Sequence, residues 1–194
     1  MFPWEEKVSG ELIYKGRILN LRVDRVRLPD GGMALREVVE HAPAVGIIAE
    51  TGDGGLFLVR QYRYPAGEFL LEIPAGIVEP GEEPAETAGR ELREETGFKP
   101  GALAEVAQFF TSPGFSDERI ILFHARELSP APKECDSDEF MDLVRLDRRQ
   151  LQDAALSGEI RDSKTLTAIY WFLSRYKPKR GRGSGPLPGK ADRV

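Results

Sequence analysis

The 194-residue sequence holds one cysteine, Cys135, and two histidines, His41 and His124. A single cysteine closes no internal disulfide, so nothing calls for an oxidising compartment and a cytoplasmic protein is the simplest expectation. With no serine or cysteine in a recognisable arrangement beside them, the histidines make no nucleophilic triad. They are not spaced as a zinc pair either, and both are expected to be structural or solvent-linked. Cys135, flanked by acids, has no neighbour that would activate its thiol. The N-terminus has early acids and no apolar run of signal-peptide length, and no segment approaches the ~18 apolar residues of a membrane span. An excess of basic residues is missing too. Lys and Arg number 27 against 32 Asp and Glu, a formal net charge of -5, which gives no electrostatic reason for binding nucleic acid or a membrane surface. The chain carries no internal repeat.

What is present is the composition of an ordinary globular protein, 41% hydrophobic and 30% charged, in a length that suits one domain with decoration. A short strand near residues 12–14 precedes two alternating runs, 17–28 and 33–40. Pro29, Asp30, Gly31 and Gly32 separate these runs and mark an antiparallel hairpin. Two more apolar runs, 45–49 and 56–62, read as central strands of a core sheet. A boundary near residue 43 therefore divides an N-terminal β subdomain (1–43) from a main domain (44–176). Pro84 inside the start and Gly97 just past the end bracket a helix over 84–96. Strands are expected at 103–110, 119–125 and 140–145, and helices at 148–157 and 164–176. The tail, 177–194, is rich in Lys, Arg, Gly and Pro and is expected to be disordered.

The chemistry lies in residues 76–98. At about 100° per residue, Glu91, Glu94 and Glu95 fall within roughly a 100° arc of the helix, while Ala85, Ala88 and Leu92 form an apolar stripe facing the sheet. Like-charge pairs at this spacing cost about 0.2 to 0.5 kcal/mol each, so the cluster needs solvent or a cation. Carboxylates are hard ligands, and Mg²⁺ held by one or two of them plus substrate phosphates is the expected occupant, with Mn²⁺ as the alternative. An acidic helix face is usually just solvated. Here Gly76 can let the chain turn before the loop, Pro84 can open the helix and Gly97 can close it, which puts the acids on a rigid loop-helix-loop.

The same segment matches the Nudix box, Gly-x5-Glu-x7-Arg-Glu-U-x-Glu-Glu-x-Gly-U, at Gly76, Glu82, Arg90, Glu91, Glu94, Glu95 and Gly97, with Leu92 and Phe98 as the apolar U positions. The chain thus resembles the Nudix hydrolases. That resemblance implies an α/β/α sandwich with a mixed sheet, preceded here by the N-terminal antiparallel β subdomain. It further implies a structural ion pair between Glu82 and Arg90 and metal ligation by Glu91 and Glu95. Glu94 would support them, with the backbone carbonyl of Ala75 as a further ligand.

Flanking residues extend the resemblance to the ADP-ribose pyrophosphatase subfamily. Pro113 and Gly114 lie in Thr111-Ser-Pro-Gly-Phe-Ser-Asp-Glu118, which looks like that subfamily's proline-containing element. Arg36 to His41, Gln61-Tyr62-Arg63 and Glu72 to Gly76 add to it. The resemblance implies that Arg63 contacts the diphosphate, that Glu72 lines the same cleft, and that Glu139, in an acidic stretch, orients or deprotonates the attacking water. It also implies a homodimer in which the N-terminal subdomain completes the partner's site. Where some relatives clamp adenine between aromatic residues, 17–19 and 35–37 hold none. Arg36 could stack on the base instead. The expected reaction splits ADP-ribose into AMP and ribose 5-phosphate. A sugar nucleotide such as GDP-mannose or ADP-glucose is the nearest alternative substrate. A non-catalytic ADP-ribose sensor is disfavoured by the intact acids and the lack of a helix-turn-helix signature.

Overall fold

The computed structural model describes residues 4–132 and 140–175. In chain order its strands are β1 (Glu6–Lys15), β2 (Leu19–Arg27), β3 (Met33–His41), β4 (Ala44–Glu50), β5 (Leu56–Arg63), β6 (Glu68–Glu72) and β7 (Ala75–Ile77). Helix α1 (Pro84–Thr96) comes next, followed by β8 (Phe98–Lys99), β9 (Ala102–Phe110), β10 (Arg119–Arg126), β11 (Ser129–Pro130) and β12 (Met141–Leu146). Helices α2 (Arg148–Ser157) and α3 (Ser163–Ser174) close the described chain.

The first three strands form an antiparallel sheet in the order β1-β2-β3. The β2–β3 turn is built as its residues dictate. Gly31 takes φ 89°, the Asp30 side chain accepts from the Gly32 N–H at 2.9 Å, and Leu28 and Gly32 close the turn at 2.8 Å. Strand β1 runs well beyond the short strand expected at 12–14. All ten of its residues are exposed, so no buried face writes an apolar signal into it.

The main sheet has the order β12-β5-β4-β10-β9, with β6 on β5 and β7 on β4. Strands β4 and β10 are parallel, and the other pairings are antiparallel. Alternation along the central strands sorts side chains to two faces. Val45, Ile47, Ala49, Ile121 and Phe123 meet Ala88 and Leu92 of α1 on one face. Ile48, Leu56, Leu58 and Leu122 meet Leu151 of α2 and Ile169 and Phe172 of α3 on the other. The result is the α/β/α sandwich with a mixed sheet. Each fully buried aliphatic side chain contributes roughly 1.5 to 3 kcal/mol.

Helix α1 starts with Pro84 at its first turn, and Glu86 accepts from the Glu83 N–H at 3.2 Å. It stops where Gly97 takes φ 75° and donates its N–H to the Arg93 carbonyl at 2.9 Å. One expectation for this helix is corrected: Ala85 is exposed and does not join the apolar stripe. Thr87 is buried in its place, because its hydroxyl donates to Glu82 at 2.8 Å and so needs no water. Helix α3 begins one residue before the expected 164, since Asp162 caps it by accepting from the Thr165 N–H at 2.9 Å. It ends at Ser174, with Arg175 as its C-cap, two residues before the expected 176, and the basic tail at 177–194 lies outside the described residues.

The three-stranded sheet ends at His41 and the mixed sheet starts at Ala44. They are tied by the segment that follows β9. The Val39 N–H donates to the Phe115 carbonyl at 2.7 Å, the Asp117 N–H to the Val39 carbonyl at 3.2 Å, and the His41 N–H to the Asp117 side chain at 2.8 Å. No described helix is long and apolar enough to cross a membrane.

Candidate active site

Helix α1 presents its acids to the short strand β7. Glu95 is almost fully buried and accepts from the Ala75 N–H at 3.3 Å. Glu91 lies so close to the next residue that a Cβ on Gly76 would stand 1.9 Å from its Oε1 and 2.0 Å from its Cδ. Gly76 therefore serves close approach, not the sharp turn expected from sequence, and its φ is not in the left-handed range. Two carboxylates from successive helical turns thus converge on one peptide segment, 75–76.

Arg90 organises both the acids and the loop before them. Its Nε and Nη2 donate to Glu82 at 3.1 and 3.2 Å, which realises the implied ion pair, and Thr87 adds a third bond to the same carboxylate. The Arg90 guanidinium holds the Glu82 carboxyl below its ordinary range. Its Nη1 also reaches Glu91 and Glu94, at 2.9 Å each. One cation therefore offsets part of the repulsion among the acids and helps fix the Glu91 carboxylate beside Gly76.

Beside β7 opens a cleft of about 520 Å³ lined by residues from both sheets and from the start of α3. Its floor carries Glu72, 1% exposed. Arg63 grips this carboxylate with two hydrogen bonds, 2.8 and 2.9 Å, and Lys164 bonds the same group. Burial pushes the Glu72 carboxyl up, but the Arg63 fork and Lys164 outweigh it and hold it at about 2. The folded state therefore takes up this proton less readily than the unfolded chain. Its stabilisation, about 3 kcal/mol, is complete above pH about 4.5 and lost as pH falls toward 2. Denaturant titrations at stepped pH should show that loss in the wild type and a flatter profile for Glu72→Gln. An identical profile in the variant would remove Glu72 from the acid response.

Sequence reasoning missed Lys164 and Asp162. Both line the cleft and lie 3.1 Å apart. The available signal was Asp162 followed three residues later by Thr165, a helix N-cap at the mouth of a pocket. His41 also lines the cleft, with its Nδ1 2.6 Å from the Ala42 carbonyl oxygen. Thr111, Ser112 and Glu118 reach the cleft wall, while Pro113 and Gly114 form the turn between them, closed by the Ser112 carbonyl accepting from the Phe115 and Ser116 N–H groups at 3.1 and 2.9 Å. Arg36 is not among the lining residues of its own chain's cleft and bonds Glu5 instead, at 2.9 Å from its Nε. Glu139 and Cys135 lie outside the described residues.

The model of the Nudix domain matches residues 40–168. The chain belongs to the Nudix family. Residues 5–39 match the nucleoside diphosphate sugar hydrolase N-terminal domain. An ADP-ribose pyrophosphatase of Bacillus subtilis (strain 168) is 40% identical over 170 residues, 87% of this chain and 92% of that protein. A methanol dehydrogenase activator of Bacillus methanolicus is 41% identical over 170 residues, with the same coverage. A crystal structure of an ADP compounds hydrolase shares the fold, with a TM-score of 0.77 at 23% identity over 90% of this chain and 93% of that one. This Nudix protein is a pyrophosphohydrolase of nucleoside diphosphate compounds.

Nudix hydrolases generally use divalent metal ions, and the residues here fit one. The oxygens that meet the 75–76 segment are those of the Glu91 and Glu95 carboxylates, hard ligands suited to Mg²⁺ or Mn²⁺. The missing Cβ of Gly76 makes the room in which Glu91 lies. Among the described residues no group of three or more acids, histidines or cysteines is placed to hold a metal ion by itself. Gly76→Ala should displace Glu91 and weaken Mn²⁺ binding roughly ten- to a hundredfold, the range seen when a ligand loses its support. Paramagnetic resonance of added Mn²⁺ measures this, and unchanged affinity would show that Glu91 does not need that space.

Proposed function

We propose that this enzyme hydrolyses the diphosphate of ADP-ribose in the presence of Mg²⁺, giving AMP and ribose 5-phosphate. The observation that carries the reading is the convergence of Glu91 and Glu95 on the 75–76 segment next to the Arg63–Glu72–Lys164 cleft. A divalent cation held by Glu91 and Glu95, with the Ala75 carbonyl, would neutralise charge developing on the phosphate oxygens. Arg63, positioned by Glu72, offers its exposed side to the diphosphate as a planar cationic fork. Glu94, tethered by Arg90, steadies the acid face. Glu139 takes a proton from the attacking water. The 40% identity to an ADP-ribose pyrophosphatase over 92% of its length supports the choice of substrate.

A sugar nucleotide is the second reading. The matched N-terminal domain favours it by its description, as does the lack of an aromatic clamp at 17–19 and 35–37. Comparison of kcat/KM for ADP-ribose, ADP-glucose and GDP-mannose decides between them. ADP-ribose should lead by at least about tenfold, a difference of 1.4 kcal/mol in transition-state binding, and preference for GDP-mannose would overturn the assignment.

We also propose a homodimer joined through the N-terminal sheet in a cytoplasmic setting. The sheet leaves Leu12, Tyr14 and Leu35 more than half exposed, and apolar surface on that scale is commonly covered by a partner. Arg36 would then serve a neighbouring cleft, which explains its distance from its own. Light scattering should give twice the 21.6 kDa of one chain. A mass near 21.6 kDa at micromolar concentration contradicts the dimer.

A further inference from the structure

We propose that the chain carries a second anion site, for a phosphate or phosphomonoester group, at the end of the main sheet remote from the cleft. It is a cavity of about 340 Å³ in which three arginines from three elements meet. Arg126 ends β10, Arg148 begins α2 and Arg175 caps α3. Aromatic rings set two of the guanidinium groups: Arg175 lies 4.8 Å from the Trp171 ring centre and Arg148 4.6 Å from that of Phe172. The one carboxylate in the lining is Glu50, and it is engaged by His124 Nε2 at 2.7 Å.

This concentration of positive charge opposes the net charge of -5 over the chain. Among the described residues Arg126 and Arg175 form no ion pair with a carboxylate. Burial holds the His124 imidazole below its ordinary value, and Arg126 and Arg175 push the same way against Glu50, so both charges act on the cavity. Guanidinium groups brought together repel one another, and an anion with several oxygens relieves that repulsion while accepting from the donor forks of Arg126 and Arg175. The volume sits at the lower end of ligand pockets, ~300–1,000 Å³, enough for a phosphate with a small sugar. Trp171 is already occupied by Arg175 and, at 5.2 Å, by the His124 ring, which leaves no platform for a nucleobase. Strand β4 reaches from Ala44 at the cleft to Glu50 at this cavity, a span of about 20 Å. The proposal does not depend on the substrate assigned to the cleft.

The test uses the full chain with Trp4→Phe, so that Trp171 is the remaining tryptophan. Its fluorescence is followed as inorganic phosphate is added, with EDTA present and ionic strength held constant with sodium chloride. A second arm uses ribose 5-phosphate. A saturable change is expected in at least one arm. Arg126→Ser should weaken it at least about tenfold with the circular dichroism unchanged, and Glu91→Gln should leave it unaltered. Tighter binding of ribose 5-phosphate identifies a phosphomonoester as the ligand, and tighter binding of phosphate the free ion. An unsaturable change in both arms, one that sodium chloride reproduces, or full affinity in folded Arg126→Ser overturns the site.

Discussion

Glu91→Gln and Glu95→Gln are each expected to lower hydrolysis at least about a hundredfold, with the fold intact. A hundredfold is about 2.7 kcal/mol of barrier, within what a correctly placed metal ion contributes to phosphoryl chemistry. Glutamine keeps each side chain's size and can still meet its neighbours: Arg90 beside Glu91, the Ala75 N–H beside Glu95. What it removes is the negative charge by which each would hold the proposed cation. The rival explanation makes Glu91 only a partner of Arg90, and then the variant should lose stability while keeping its turnover. Thermal unfolding and steady-state rates measured on the same preparations separate the two. Near-normal turnover in a correctly folded variant would remove that residue from the ion's site.

Glu139→Gln is expected to cut kcat by 10² to 10⁴ while KM changes by less than about threefold. In the proposed reading the helix and β7 would supply the ligands for a cation, and Glu139 would take the proton of the attacking water, an interaction made mainly in the transition state. Glutamine preserves shape and abolishes basicity. A kcat within about threefold of the wild type would return the water to the helix, where Glu94, tethered to Arg90 at 2.9 Å, is the first residue to replace.

The acid helix was legible because its punctuation is chemical: Pro84 fits only a first turn, and Gly97 takes a left-handed φ that other residues resist. Helix α2 was equally plain, with Gly158, at φ 80°, as its stop; its Asp147 cap came from the structure. Strands β6 and β7 were not. Glu72 is a charge at the buried end of its strand, a placement that Arg63 and Lys164 make tolerable, and Lys164 is far away in sequence. For the same reason the role of Gly76 was misread, since a close approach by Glu91 belongs to tertiary packing and leaves no local mark. Arg36 reads as a cleft residue from its motif, but one chain's fold pairs it with Glu5.

The central claim is tested most directly by identifying the products formed from ADP-ribose with Mg²⁺, using ³¹P resonance and chromatography, with Glu95→Gln run in parallel. AMP and ribose 5-phosphate should accumulate in equal amounts, cease when EDTA is added, and be reduced at least about a hundredfold in the variant. Cleavage elsewhere than between the two phosphates, or equal product from the folded variant, would contradict it.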